Sequence, residues 1–164
     1  MEDLSSGLGD RSRYHAHFHE EPHGALPMAT QFKKLNHDWN AEPNAPDIKV
    51  STDDSGITLS FLANPFQFPD FDNGQMIELR FSDVWRYGIG TINDEGWYRG
   101  QCRFSKSVRR WGEFYCVTGD LMIDKFDGDW QILTDAPKQD LKHYLFYFRD
   151  CNFECDATKW ERIR

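Results

Sequence analysis

The chain has 164 residues, of which 39% are hydrophobic and 15% aromatic, and its formal net charge is −8. That is the length of one domain, and 13 Phe, 6 Trp and 6 Tyr supply enough ring area for a single core. No apolar run approaches the roughly 20 residues of a spanning helix, the opening MEDLSSGLGD lacks the basic and apolar parts of a secretory signal, and the acidic balance excludes general binding to phosphate backbones.

Residues 1–27 combine Gly, Ser and Pro with His15, His17, His19 and His23 and show little apolar periodicity, which predicts a flexible extension. Alternate histidines can share a metal ion, but a fixed ligand geometry is missing, so no metal or other cofactor is assigned. Met28 precedes the first patterned segment, and a single β-rich domain is expected over residues 28–164. Phe32, Leu35 and Trp39 follow at helical spacing and predict a short amphipathic helix over about residues 29–38. Asn40 to Pro46, with two prolines, stops it in a rigid loop that serves either as a recognition element or as a clip seating the helix on a sheet.

From Asp47 the period changes to two. Ile48 and Val50 open a strand, Asp53-Asp54-Ser55-Gly56 supplies a turn, and Ile57 to Ala63 continues as a half-buried strand. After an aromatic loop ending at Asn73-Gly74, the alternation resumes at Ile77, Leu79 and Phe81 and again at Trp85, Tyr87 and Ile89. Further strands are predicted at Trp97–Phe104, Glu113–Thr118, Leu121–Ile123 and Trp130–Leu133. His143–Arg149 and Phe153–Ala157 flank Asp150-Cys151-Asn152 as a hairpin. The first of this pair is apolar on both faces and belongs in the middle of a packed sheet. The expected fold is therefore mainly β (α+β), an antiparallel β-sandwich or curved sheet of about eight strands with one short N-terminal helix.

The cysteines at 102, 116, 151 and 155 lack a CxxC pair and are expected to be thiols in a reducing cytoplasm, with Cys102 and Cys116 candidates to face each other across a hairpin. On a strand, Trp97, Arg99, Gln101 and Arg103 would form one face, and Tyr98, Gly100, Cys102 and Phe104 the core face. Arginines beside an aromatic ring suit a binding surface, and equally a solvated face whose ions pair locally. Asp94 and Glu95 in the preceding turn add a carboxylate pair, more often turn chemistry than acid–base chemistry. Residues 38–78 hold eight acids against Lys49 alone, and Asp47, Asp53, Asp54, Asp70 and Asp72 are candidates to steer a basic protein. No catalytic signature is present, so no catalytic residue is assigned.

WNAEPNAP (39–46), NDEGWYRGQCRF (93–104), WGEFY (111–115) and HYLFYFRDCNFECDA (143–157) resemble an uncharacterised family of small bacterial proteins over roughly residues 30–160. That resemblance carries no activity and no catalytic residues over. The closing pattern is also similar to small immunity and accessory proteins of bacterial toxin systems. The expectation is a cytoplasmic, non-enzymatic protein-binding module, with toxin neutralisation as its specific form. The alternative is a small enzyme or β-barrel binding an anionic small molecule through Arg99 and Arg103, with His143 beside them.

Overall fold

The computed structural model describes residues 29–108, 110–121 and 125–164. The histidine-containing extension lies outside the described residues, as does most of the strand expected at Leu121–Ile123. Among the described residues ten strands make two antiparallel sheets that pack as a sandwich. Strands β1 (Gln31–Lys34), β5 (Arg86–Gly90), β6 (Phe114–Thr118), β7 (Gln131–Ile132), β8 (Lys142–Tyr147) and β9 (Asn152–Ala157) form the larger sheet, in the order β1-β6-β8-β9-β5-β7. Strands β2 (Lys49–Asp53), β3 (Gly56–Leu62), β4 (Met76–Ser82) and β10 (Lys159–Arg162) form the smaller one, in the order β10-β4-β3-β2. Among the described residues no helix is long and apolar enough to cross a membrane.

Period-two alternation explains the inner core. Ile57, Leu59 and Phe61 on β3 and Ile77, Leu79 and Phe81 on β4 point at the larger sheet, where Phe114, Tyr144, Phe146 and Phe153 meet them. The rings pack mainly edge to face; Phe61 meets Phe146 at a centroid distance of 5.3 Å and an interplanar angle of 83°. Trp39 closes one side against Phe61, Phe114 and Phe146. The chain passes between the sheets twice at one end, from β4 to β5 through Asp83–Trp85 and from β9 to β10 through Thr158. Thr158 fastens the two crossings together by donating its backbone N–H to Ser82 O at 3.2 Å. This is the crossed end; the opposite end carries the longer loops.

The larger sheet is covered on its other face as well. Tyr115, Val117, Leu145 and Tyr147 point outward under Cys102, Phe104 and Val108, which belong to the connection between β5 and β6. β8 is thus buried on both faces at the centre of a sheet, as its continuous apolar run predicts.

The N-terminal helix is not there. Residues 31–34 are an edge strand pairing with β6, Phe32 opposite Val117. Phe32 packs edge-on against Phe104 and Tyr115, with centroids 5.6 and 6.0 Å away. A ten-residue helix is marginal by itself, and an open sheet edge offers each backbone group a partner. β10 was not expected either; its Trp160 seats edge-on against Phe114 at 4.9 Å. The four cysteines are free thiols. Cys102 packs in the outer cluster and Cys116 against the inner core, so they lie on opposite sides of the sheet and do not face each other. Burial pushes the Cys102 and Cys151 thiols up to about 12.

Phe146 is fully buried and touches four other rings. Phe146→Ala is expected to lower the unfolding free energy by about 3–5 kcal/mol, measured as a shifted urea midpoint with an unchanged slope.

Candidate functional site

The connection from β5 to β6 is a short helix and turns. Asn93 caps α1 (Asp94–Tyr98) by accepting from Gly96 N–H at 3.0 Å. Asp94 and Glu95 sit in the first turn, where acids favour the exposed N–H groups. The strand expected at Trp97–Phe104 is therefore replaced, and with it the face made of Trp97, Arg99, Gln101 and Arg103. A helical turn rotates successive side chains by about 100° instead of 180°. Tyr98, expected in the core, is 75% exposed, and Arg103, expected outside, is 5% exposed. Arg99 lies on the surface within 3.6 Å of Glu95, and Gln101 is exposed.

Arg103 belongs to a buried charge network on the outer face of the larger sheet. Glu154 and Asp156 point outward from β9 and His143 from β8, in the register that sets His143 opposite Asp156. The imidazole lies between them, Nδ1 at 2.7 Å from Asp156 and Nε2 at 2.7 Å from Glu154. With a carboxylate oxygen at each nitrogen, only the doubly protonated ring donates to both. Arg103 reaches Glu154 at 3.2 Å and also donates to the Leu121 carbonyl, while the Tyr147 hydroxyl donates to the Arg103 carbonyl at 2.6 Å. Arg86 donates to Asp156 at 2.6 Å from between the Trp85 and Trp130 rings, 4.4 and 4.2 Å away. Gly88 and Gly90 on β5 leave the space that Phe126 and the side chains of Asn152 and Asp127 fill. The network's charges answer each other away from solvent, which describes a clamp holding the cover on the sheet.

Burial opposes charge on His143, but its bonds to Asp156 and Glu154 prevail and hold it above its usual 6.5. Burial likewise opposes charge on Asp156, and the bonds to His143 and Arg86 hold it below 3.8. A raised histidine stabilises fully below 6.5 and loses that contribution as pH rises through its folded value. A lowered carboxylate stabilises fully above 3.8 and loses it as pH falls through its folded value. Stability from this pair is therefore greatest between those limits. His143→Gln is expected to be less stable at pH 5.5 and to flatten the decline in wild-type stability from pH 6.5 upward, read from urea midpoints across pH.

The cleft lies at the loop end, opposite the crossings. Its cavity of about 530 Å³ is lined by the loop after β1 (Asn40–Pro43), the loop after β3 (Asn64, Gln67), α1 with Asp94, Trp97 and Tyr98, the Arg110–Glu113 stretch and the end of β8 through Arg149. Trp111 stacks on Tyr147 at 4.9 Å, and Trp97 approaches Trp111 at 6.0 Å. The 39–46 loop is pinned under the cleft: Asn40 donates to the Gly112 carbonyl at 2.7 Å. Buried Asn36 donates to Glu113 at 2.9 Å and accepts from Phe114 N–H at 3.0 Å. Asn36→Ala leaves that N–H unanswered, at an expected loss of about 1–3 kcal/mol in denaturant unfolding.

Of the predicted residues, the cleft gathers Asp94 and Trp97. The five aspartates divide. Asp47, Asp70 and Asp72 lie in loops at the cleft end; Asp53 ends β2 and Asp54 lies in the turn after it, at the crossed end, roughly 20 Å away by strand length. Asp47 pairs with Lys49 at 2.8 Å and Asp53 with Arg80 at 2.5 Å, which holds the Asp53 carboxyl well below the usual range. Sequence reasoning missed Tyr98, Arg110, Trp111 and Arg149 as wall residues. It also missed Glu154 and Asp156, although two acids at period two in an apolar strand are a readable sign of a buried polar row. Among the described residues no group of three or more His, Cys, Asp or Glu is placed to hold a metal ion. No family model matches the chain, and neither curated proteins nor solved structures give a match.

Proposed function

We propose that the chain is a protein-binding module whose docking surface is the loop end of the sandwich. One observation carries this reading. Phe66, 80% exposed, and Tyr98, 75% exposed, are the two most exposed large hydrophobic side chains among the described residues; Phe66 sits on the β3–β4 loop between the cleft residues Asn64 and Gln67, and Tyr98 ends α1 in the cleft wall. An unburied ring is costly in water and common at the centre of interfaces, where Tyr, Trp, Phe and Arg are enriched. The cleft adds Trp97, Trp111, Arg110 and Arg149 to the same surface. Loops gathered at one end of a sandwich are a suitable support, because the sheets behind them stay rigid while the loops carry recognition. Neutralising a bacterial toxin in a cytoplasm is the specific form of this proposal.

The test is affinity chromatography from host cytosol with the wild type and the double variant Phe66→Ala, Tyr98→Ala. Both side chains face solvent, so the variant is expected to fold with stability within about 1 kcal/mol of wild type. The wild type is expected to retain one stoichiometric protein and the variant to lose it. A partner held equally by both, or none held by the wild type, overturns the proposal.

A further inference from the structure

Segment 96–112, whose Cys102, Phe104 and Val108 cover the outer face of the larger sheet, contains five of the chain's 19 Lys and Arg and none of its 27 Asp and Glu. Arg103 is spent inside on Glu154. Lys106 and Arg110 are exposed, and among the described residues neither pairs with a carboxylate. Arg110 has a special place, since it lines the cleft on one side and a second hollow of about 630 Å³ on the other. Among the described residues no carboxylate lines that second hollow; Lys34, Gln31, Ser107 and Tyr115 are among its walls.

The cleft does hold three carboxylates, each bonded within the chain, and Glu113 is the one paired with a cation among the described residues. Glu113 is buried and pairs with Lys34 at 2.9 Å. Glu42 accepts from the backbone N–H groups of Asn44 and Ala45. Asp94 accepts from Glu95 N–H at 2.8 Å. Among the described residues Arg110 is the wall cation without a carboxylate partner; the half-exposed Arg149 across the cleft donates to the Asn44 carbonyl at 2.9 Å and lies 3.9 Å from Asp150, and the rings of Tyr98 and Trp111 stand beside them.

We infer that the occupant of the cleft is an extended acidic segment of a partner protein, running from the cleft over Arg110 into the second hollow. This rests on the protein-binding reading and reverses the partner's charge at this face, because the aspartates thought to attract a basic protein do not form one patch. Guanidinium groups flanked by rings suit carboxylates well, by paired N–H donation and by stacking. Nucleic acid offers anions too, but an isolated basic strip on a chain of net charge −8 opposes a long polyanion.

The test uses the full chain with fluorescein-labelled probes of about a dozen residues. One alternates Glu with Tyr and Ser, one carries Lys in place of Glu, and one is a single-stranded oligonucleotide of equal length. Anisotropy is read at low and moderate salt, together with quenching of the cleft tryptophans. The acidic peptide is expected to bind best, to weaken with salt, and to lose about tenfold in affinity on Arg110→Glu with Arg149→Glu. Asp53→Lys at the crossed end is expected to leave binding unchanged. Preference for the Lys peptide, equal or tighter binding of the oligonucleotide, or no binding of the acidic peptide by a folded wild type each overturns the inference. None of these outcomes touches the loss of a cellular partner on removing Phe66 and Tyr98, which stands or falls separately.

Discussion

A β-hairpin with no face to give to water must be covered twice, and the β8–β9 pair sets that requirement for the whole chain. Every residue of β9, and of β8 from His143 to Tyr147, is buried. The smaller sheet covers the inner face with aliphatic and aromatic side chains. On the outer face the described residues form α1 and irregular turns instead of a further sheet. Irregular backbone carries polar groups that need partners. The Arg103 guanidinium donates to the Leu121 carbonyl and the Tyr147 hydroxyl to the Arg103 carbonyl, while Glu154 from the outer row of β9 holds Arg103 in place. Asn152, Glu154 and Asp156 lie beneath this irregular backbone where an apolar row would otherwise stand.

Buried ion pairs gain little net stability, since desolvation opposes their attraction. Their effect here is positional. His143 can meet both carboxylates only if β8 and β9 hold their observed register, because a slip of one residue turns each side chain to the opposite face. Arg103 carries that registration outward, reaching Glu154 with its side chain while its carbonyl accepts from Tyr147. Arg103 and the described residues around it are thereby fixed relative to the sheet, and with them the spacing of Trp97 and Trp111 in the cleft wall. The geometry of the exposed surface thus depends on charges that no ligand touches.

The sheet strands were legible wherever one face met the core, as in Ile57 to Ala63, Ile77 to Phe81 and the β8–β9 hairpin. Local pattern failed where tertiary contacts decided. Phe32, Leu35 and Trp39 fit a helix by spacing, yet the free edge of β6 draws residues 31–34 into a strand. Trp97 to Phe104 alternates like a strand, yet Asn93 followed by Asp94 and Glu95 is a helix start that outranks it. The candidate site was legible in part. Its composition of rings and arginines was visible, but which arginine faces solvent depended on that single turn. The convergence of the 40–43 and 64–67 loops with Arg149 follows from sheet order, which periodicity does not encode.

The two crossings at Asp83–Trp85 and Thr158 give the ends of the sandwich different histories. At the crossed end a change in length would shift one sheet against the other and unseat the inner rings. At the opposite end the chain crosses once more, from β1 to β2, whereas the β3–β4, β5–β6 and β8–β9 connections return to the sheet they left, and insertions in those three would leave the register of the core intact. Divergence among descendants of this chain is therefore channelled toward the cleft, so that new specificities can accumulate on a scaffold whose interior stays under constant selection.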